Sequence, residues 1–98
     1  MPNKNYIKGR QFEYRVKKEL EMLNDLVMRT AGSHSPFDLI AVTKTHIHLV
    51  QCKNHKPSKE DIEKLNIWSK KLMSDNNNTS CLIIYKTKNG LAYKWGNY

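Results

Sequence analysis

A carboxylate inside an apolar run is the first residue of this chain that asks for a chemical role. Asp38 is flanked by Phe37, Leu39 and Ile40. Burying an ionised carboxylate there is costly unless a cation or hydrogen-bond donors meet it. Gln51-Cys52-Lys53 ends a later run of alternating character. Residues two apart on a strand point to one face, so Gln51 and Lys53 project together. If Phe37 to Thr43 and His46 to Lys53 pair as a hairpin about Lys44-Thr45, Asp38 lies opposite the far end of the second run, near Lys53. Glu13, on a helical stretch, adds a second carboxylate. Oxygen ligands of this kind suit Mg²⁺, which takes few carboxylates and keeps several waters. A bound divalent ion lowers the pKa of water from ~15.7 towards ~7. A lysine beside it can position or deprotonate that water and offset charge in the transition state. Phosphodiester hydrolysis needs that set of parts.

Each residue also has a plainer reading. Glu13 reads as a solvated helix residue, Asp38 as a turn-flanking acid paired with Arg29, Lys53 as a strand-end lysine and Gln51 as a strand polar. His46, His48 and Cys52 share the face opposite Gln51 and Lys53. Two imidazoles and a thiol with no fourth ligand read better as a sheet face than as a zinc site. Cys52 should point into the protein and not act as a nucleophile. The C-terminal Tyr93-Lys94-Trp95-Gly96-Asn97-Tyr98 has the make-up of a base-stacking platform. An edge strand capping the core, or a dimer contact, is the stronger reading of it.

These residues need elements to hold them. Phe12, Val16, Leu20 and Leu23 recur at helical spacing and predict an amphipathic helix over 9–24. Three strand-like runs follow: Leu26 to Thr30, Phe37 to Thr43 and His46 to Lys53. A second helix should start after Pro57 with Ser58 as N-cap, and Glu60 and Asp61 in its first turn. Its apolar face is Ile62, Leu65, Ser69 and Leu72, with Trp68 beside it, and Asp75-Asn76-Asn77-Asn78 stops it. Ser80 to Thr87 reads as a buried strand, and Asn89-Gly90 as a hairpin into a last strand, Leu91 to Trp95. The expected fold is α/β: an αβββαβ core with one mixed central sheet flanked by two helices.

Ninety-eight residues fit one domain, 1–98. No apolar stretch approaches a membrane span and the polar N-terminus lacks a signal-peptide core. Cys52 and Cys81 form no disulfide framework, which fits a reducing cytoplasm. Seventeen Lys and Arg against nine Asp and Glu leave a net charge of +8, which points to a polyanionic partner. The lysines of the second-helix region, Lys56, Lys59, Lys64, Lys70 and Lys71, read chiefly as a solvated face.

Glu13…Pro36-Phe37-Asp38…Gln51-Cys52-Lys53 on this element order resembles the PD-(D/E)XK nuclease superfamily, and within it the archaeal Holliday-junction resolvases. The likeness also rests on Lys8-Gly9-Arg10-Gln11-Phe12-Glu13, Arg29-Thr30-Ala31-Gly32-Ser33 and Phe37 to Val42, and covers about residues 8–73. It implies a restriction-endonuclease-like fold and a Mg²⁺-dependent endonuclease, with Mn²⁺ as a substitute. Glu13, Asp38 and Gln51 would be metal residues and Lys53 the catalytic lysine. Ser33 would act at the scissile phosphate, and Arg10, Arg29, Ser33, His34 and Lys56 would contact nucleic acid. Branched double-stranded DNA is the implied partner and a homodimer the implied assembly, each subunit nicking one strand. An archaeon or an archaeal virus is the implied source, although the many Asn residues fit a hyperthermophile poorly.

Gln51 stands where these resolvases carry Glu. The metal site thereby loses one negative charge, worth on the order of 4 kcal/mol at ~4 Å and an effective dielectric of ~20, before desolvation and screening. Mrr-type restriction endonucleases, which cut modified DNA, do carry Gln-x-Lys. Two alternatives therefore stand: a restriction-type nuclease on linear or modified duplex, and a non-cleaving nucleic-acid-binding module with a decayed metal site.

Overall fold

The computed structural model describes residues 4–30, 35–73 and 77–97. Its elements run α1 (Lys4–Glu21), β1 (Leu26–Arg29), β2 (Leu39–Val42), β3 (Ile47–Lys53), α2 (Lys59–Met73), β4 (Thr79–Thr87) and β5 (Gly90–Trp95). The five strands form one sheet in the order β1-β2-β3-β4-β5. Only the β3–β4 pair is parallel. A parallel pair needs a crossover, and α2 is that crossover. The mixed sheet with two helices matches the expected class.

Both faces of the sheet are covered. Phe12, Val16 and Leu20 of α1 pack on Val27, Leu39, Ala41, Val50, Leu82 and Ile84. On the other face Leu65 of α2 packs with Phe37, Cys81 and Ile83, flanked by Trp68 and Leu72. β4 alternates between these two cores along Cys81-Leu82-Ile83-Ile84. A strand buried on both sides reads as a continuous apolar run for that reason. Ser69 lies in the apolar stripe of α2, as its spacing predicts. It is buried and donates to the Leu65 carbonyl at 2.8 Å. Gly96 closes over it, where a Cβ would collide with the Ser69 hydroxyl.

Three local expectations change. Helix α1 starts at Lys4, before residue 9, and ends at Glu21 rather than at residue 24. The Leu23 N–H returns to the Leu20 carbonyl, and Asn24 bonds the same carbonyl through its backbone and side chain, which tightens and ends the last turn. Leu23, expected in the core, is consequently 78% exposed. Strand β2 begins at Leu39, not Phe37. Phe37 and Leu39 enter opposite cores, so the chain bends between them, at Asp38. The Asn89-Gly90 hairpin forms as expected, with Gly90 at φ 129°.

Candidate active site

The bend at Asp38 is set from both sides. Phe37 is held under α2, edge-on to Trp68 with ring centroids 6.1 Å apart. Thr30, at the end of β1, donates its hydroxyl to the Phe37 carbonyl at 2.7 Å and its N–H to the Asp38 carbonyl at 3.0 Å. The pairing of β2 with β3 ends at Leu39↔Val50, apart from the Asp38 N–H, which donates to the Val50 carbonyl. Two residues on, the Cys52 N–H is met by the Asp38 carboxylate itself, at 2.8 Å. Asp38 thus continues the sheet with its side chain, so its position follows from a backbone donor that must be satisfied.

Glu13 approaches from α1, one position after buried Phe12. It lines a cleft of about 500 Å³ with Gly9, Phe12, Asp38, Cys52, Lys53, Asn54 and His55. Burial raises Glu13 above the ordinary carboxylate range. The neighbouring Asp38 charge raises it further, while Arg29 partly opposes both. Burial raises Asp38 as well, against the Cys52 N–H, Glu13, Lys53 and Arg29. Burial thus disfavours the charged form of both carboxyls, and a cation placed between them would favour it.

Arg29 is engaged inside the protein. Its guanidinium pairs with Glu13 at 3.1 Å and lies over the Tyr14 ring at 5.2 Å. Lys53 pairs with Asp61 of α2 at 3.2 Å. Asp61 is also the acid of a reciprocal cap. Ser58 Oγ accepts the Asp61 N–H at 3.1 Å, and the Asp61 carboxylate accepts the Ser58 N–H at 2.9 Å. The Ser58 N–H, and with it Lys53, hold the Asp61 carboxyl below its usual range despite some burial.

The structure therefore gathers Glu13, Asp38 and Lys53 at one cleft. Gln51 lines an adjoining cleft beneath α2, with Pro36, Phe37, Asp61, Lys64, Leu65 and Trp68. Arg10 and Lys56 are exposed and wall neither the carboxylate cleft nor that of Gln51. Ser33 and His34 lie outside the described residues. In the sequence Asp61 stands out only as a first-turn acid. The signal for more is the short connection from Lys53 to Ser58, which folds the first turn of α2 back beside the lysine. On the opposite sheet face the His46 and His48 rings lie 4.6 Å apart, His46 meets Ser80 at 2.7 Å, and His48 meets Trp95 edge-on. Burial and the nearby carboxylates push the Cys52 thiol far up, which leaves it unreactive.

Among the described residues no three His, Cys, Asp or Glu side chains are grouped to hold a metal. Two carboxylates nevertheless fit Mg²⁺, which is bound through one or two of them with waters and substrate phosphate making up the rest. The raised pair Glu13–Asp38 has that character.

An αβββαβ core around one mixed five-stranded sheet defines a restriction-endonuclease-like fold. The chain belongs to the nuclease-related domain (NERD) family, whose sequence model matches residues 8–96. Its fold is similar to that of Archaeoglobus fulgidus Hjc, a Holliday junction resolvase from an archaeal hyperthermophile, solved at 1.6 Å resolution. The TM-score is 0.62 with 20% identity, over 92% of this chain and 72% of that chain. Comparison with curated protein sequences gives no match. Family and fold agree with the nuclease resemblance of the sequence. No described helix is long and apolar enough to cross a membrane.

Proposed function

We propose that this nuclease-related domain is a Mg²⁺-dependent, structure-selective DNA endonuclease that nicks four-way junctions as a cytoplasmic homodimer. The observation that carries the reading is the convergence of Glu13, Asp38 and Lys53 on one cleft, where burial raises both carboxyls. Glu13 and Asp38 would hold the ion; Gln51, which lines the cleft beneath α2, would add its amide oxygen only by turning towards them. When bound, Mg²⁺ supplies an acidified water and neutralises phosphate charge. The chain's own residues do the rest. Arg29 holds Glu13 towards the cleft, the Cys52 N–H holds Asp38, and Asp61 holds the Lys53 ammonium at the rim. Lys53 then acts as a hydrogen-bond donor and positive charge towards the scissile phosphate, which matters most where charge grows in the transition state. A homodimer follows from the chemistry: one such site nicks one strand, and a junction needs two.

Lys53→Ala should slow metal-dependent nicking of a synthetic junction by roughly 10²–10⁴-fold while leaving binding in place. Equal rates for Lys53→Ala and the unaltered protein would remove the lysine from the mechanism. Comparing the junction with a linear duplex of the same sequence separates a resolvase from a restriction-type enzyme.

Gln51 favours a second reading, in which the metal site has decayed and the domain binds nucleic acid without cutting it. Calorimetric titration with Mn²⁺ distinguishes the two, because a decayed site takes up no ion specifically. Activity gained by Gln51→Glu in an inactive protein would support decay.

A further inference from the structure

A second cleft, of about 560 Å³, adjoins the carboxylate site and is lined by Lys8, Gln11, Phe12, Arg15, Asn54 and Lys86. Phe12 and Asn54 wall both clefts, so the two lie side by side. Its cations come from separate parts of the chain. Lys8 and Arg15 are seven residues apart on one face of α1, about 10.5 Å along the axis at 1.5 Å per residue. Lys86 follows buried Ile84 at strand spacing and so extends the α1-facing side of β4. All three are exposed, and among the described residues none is in an ion pair. This contrasts with Arg29 and Lys53, whose charges are met by Glu13 and Asp61.

Three unmatched cations lining one concave surface concentrate positive potential there, which attracts anions. A small anion would need one of them; a span of ~10.5 Å matches about three nucleotides at 3.4 Å of axial rise per nucleotide along a strand. We propose that Lys8, Arg15 and Lys86 form a DNA backbone track that grips phosphates flanking the scissile one and leads the strand into the Glu13–Asp38–Lys53 cleft. The track rests on the nuclease reading above and deepens it. It places the substrate strand over α1 and the end of β4, not over α2 and its lysines. The side chains meet phosphates and not base edges, so the track positions the strand without reading sequence.

The test is fluorescence anisotropy of a labelled four-way junction and a labelled linear duplex over a range of salt concentrations. The unaltered protein is compared with Lys8→Ala/Arg15→Ala/Lys86→Ala and with Lys18→Ala/Lys44→Ala/Lys70→Ala. The second variant removes the same charge from exposed positions outside both clefts, and thermal melting checks that each folds. The track variant should bind at least about tenfold more weakly at low salt, with a log–log salt slope shallower by roughly 2–3, near 0.9 for each phosphate that the protein no longer neutralises. The control variant should keep most of the slope. Equal weakening in the two variants, or none in the track variant, would overturn the track while DNA binding by the unaltered protein left the nuclease reading standing. No DNA binding by the unaltered protein would overturn both.

Discussion

Among single residues, charge at Glu13 and Asp38 governs the cleft. Both carboxyls are raised, chiefly by burial, with Asp38 adding to the effect on Glu13. A raised folded-state pKa contributes stability below the ordinary carboxylate range, and that contribution is lost as pH rises through the raised values. The metal-free protein should therefore lose stability across that rise, and a divalent cation should restore it at neutral pH. Mg²⁺ or Mn²⁺ at ~100 times its Kd adds about 2.7 kcal/mol. For a domain of this size that is on the order of 10 °C in Tm. Differential scanning fluorimetry should show this shift at about pH 7.5, little of it at about pH 4, and none in Asp38→Asn. Because Asn keeps an oxygen for the Cys52 N–H, metal-free Asp38→Asn should melt no lower than the unaltered protein at neutral pH. Asp61 acts through its partner. Asp61→Asn retains an acceptor for the Ser58 N–H but removes the charge facing Lys53. It should lower kcat by about 10- to 100-fold, the usual range for groups that orient a catalytic neighbour at a metal site, with DNA affinity little changed. Rescue by Asp61→Glu would separate orientation of the lysine from a purely structural role.

Among the elements, α2 links stability to the site, because its first turn both caps the helix and faces Lys53. Ser58→Ala removes the acceptor for the Asp61 N–H and should destabilise by ~1 kcal/mol, within about 0.5–2. A fall in Tm of several degrees by circular dichroism is expected; an unchanged Tm would mean that the cap contributes nothing. The same helix shows what the sequence makes legible. Ser58, Glu60 and Asp61 announce its start, and Leu65 and Ser69 its buried side, because capping and amphipathic spacing are local rules. The β4 run and the Asn89-Gly90 hairpin are legible for similar reasons. The end of α1 is not: periodicity carries on through Leu23, whereas the turn closes early because Asn24 bonds back to Leu20. The start of β2 fails differently, since Phe37 looks like strand and is instead drawn under α2 by Trp68. Asp38 is legible as an acid in an apolar place, but not as the partner of the Cys52 N–H. The roles of Asp61 and Lys86 depend on the parallel crossover, which brings distant segments to the ends of β3 and β4, and no local pattern encodes that.

For the whole molecule, a net charge of +8 says only that a polyanion is welcome. The structure divides that charge into cations already matched inside the protein, such as Arg29 and Lys53, and cations left open beside the carboxylate cleft. The described residues form one such cleft, so paired nicks would need a second copy; sedimentation of the protein with an uncleaved junction should then give two chains per junction. The central claim is hydrolysis at the Glu13–Asp38–Lys53 cleft. It is tested most directly by incubating the unaltered protein and Asp38→Asn with a four-way junction, with and without Mg²⁺ or Mn²⁺, and resolving the strands on a denaturing gel. The unaltered protein should give metal-dependent nicks and Asp38→Asn none, while Asp38→Asn still binds the junction. Absence of metal-dependent cleavage of junction, linear and modified DNA alike would contradict it.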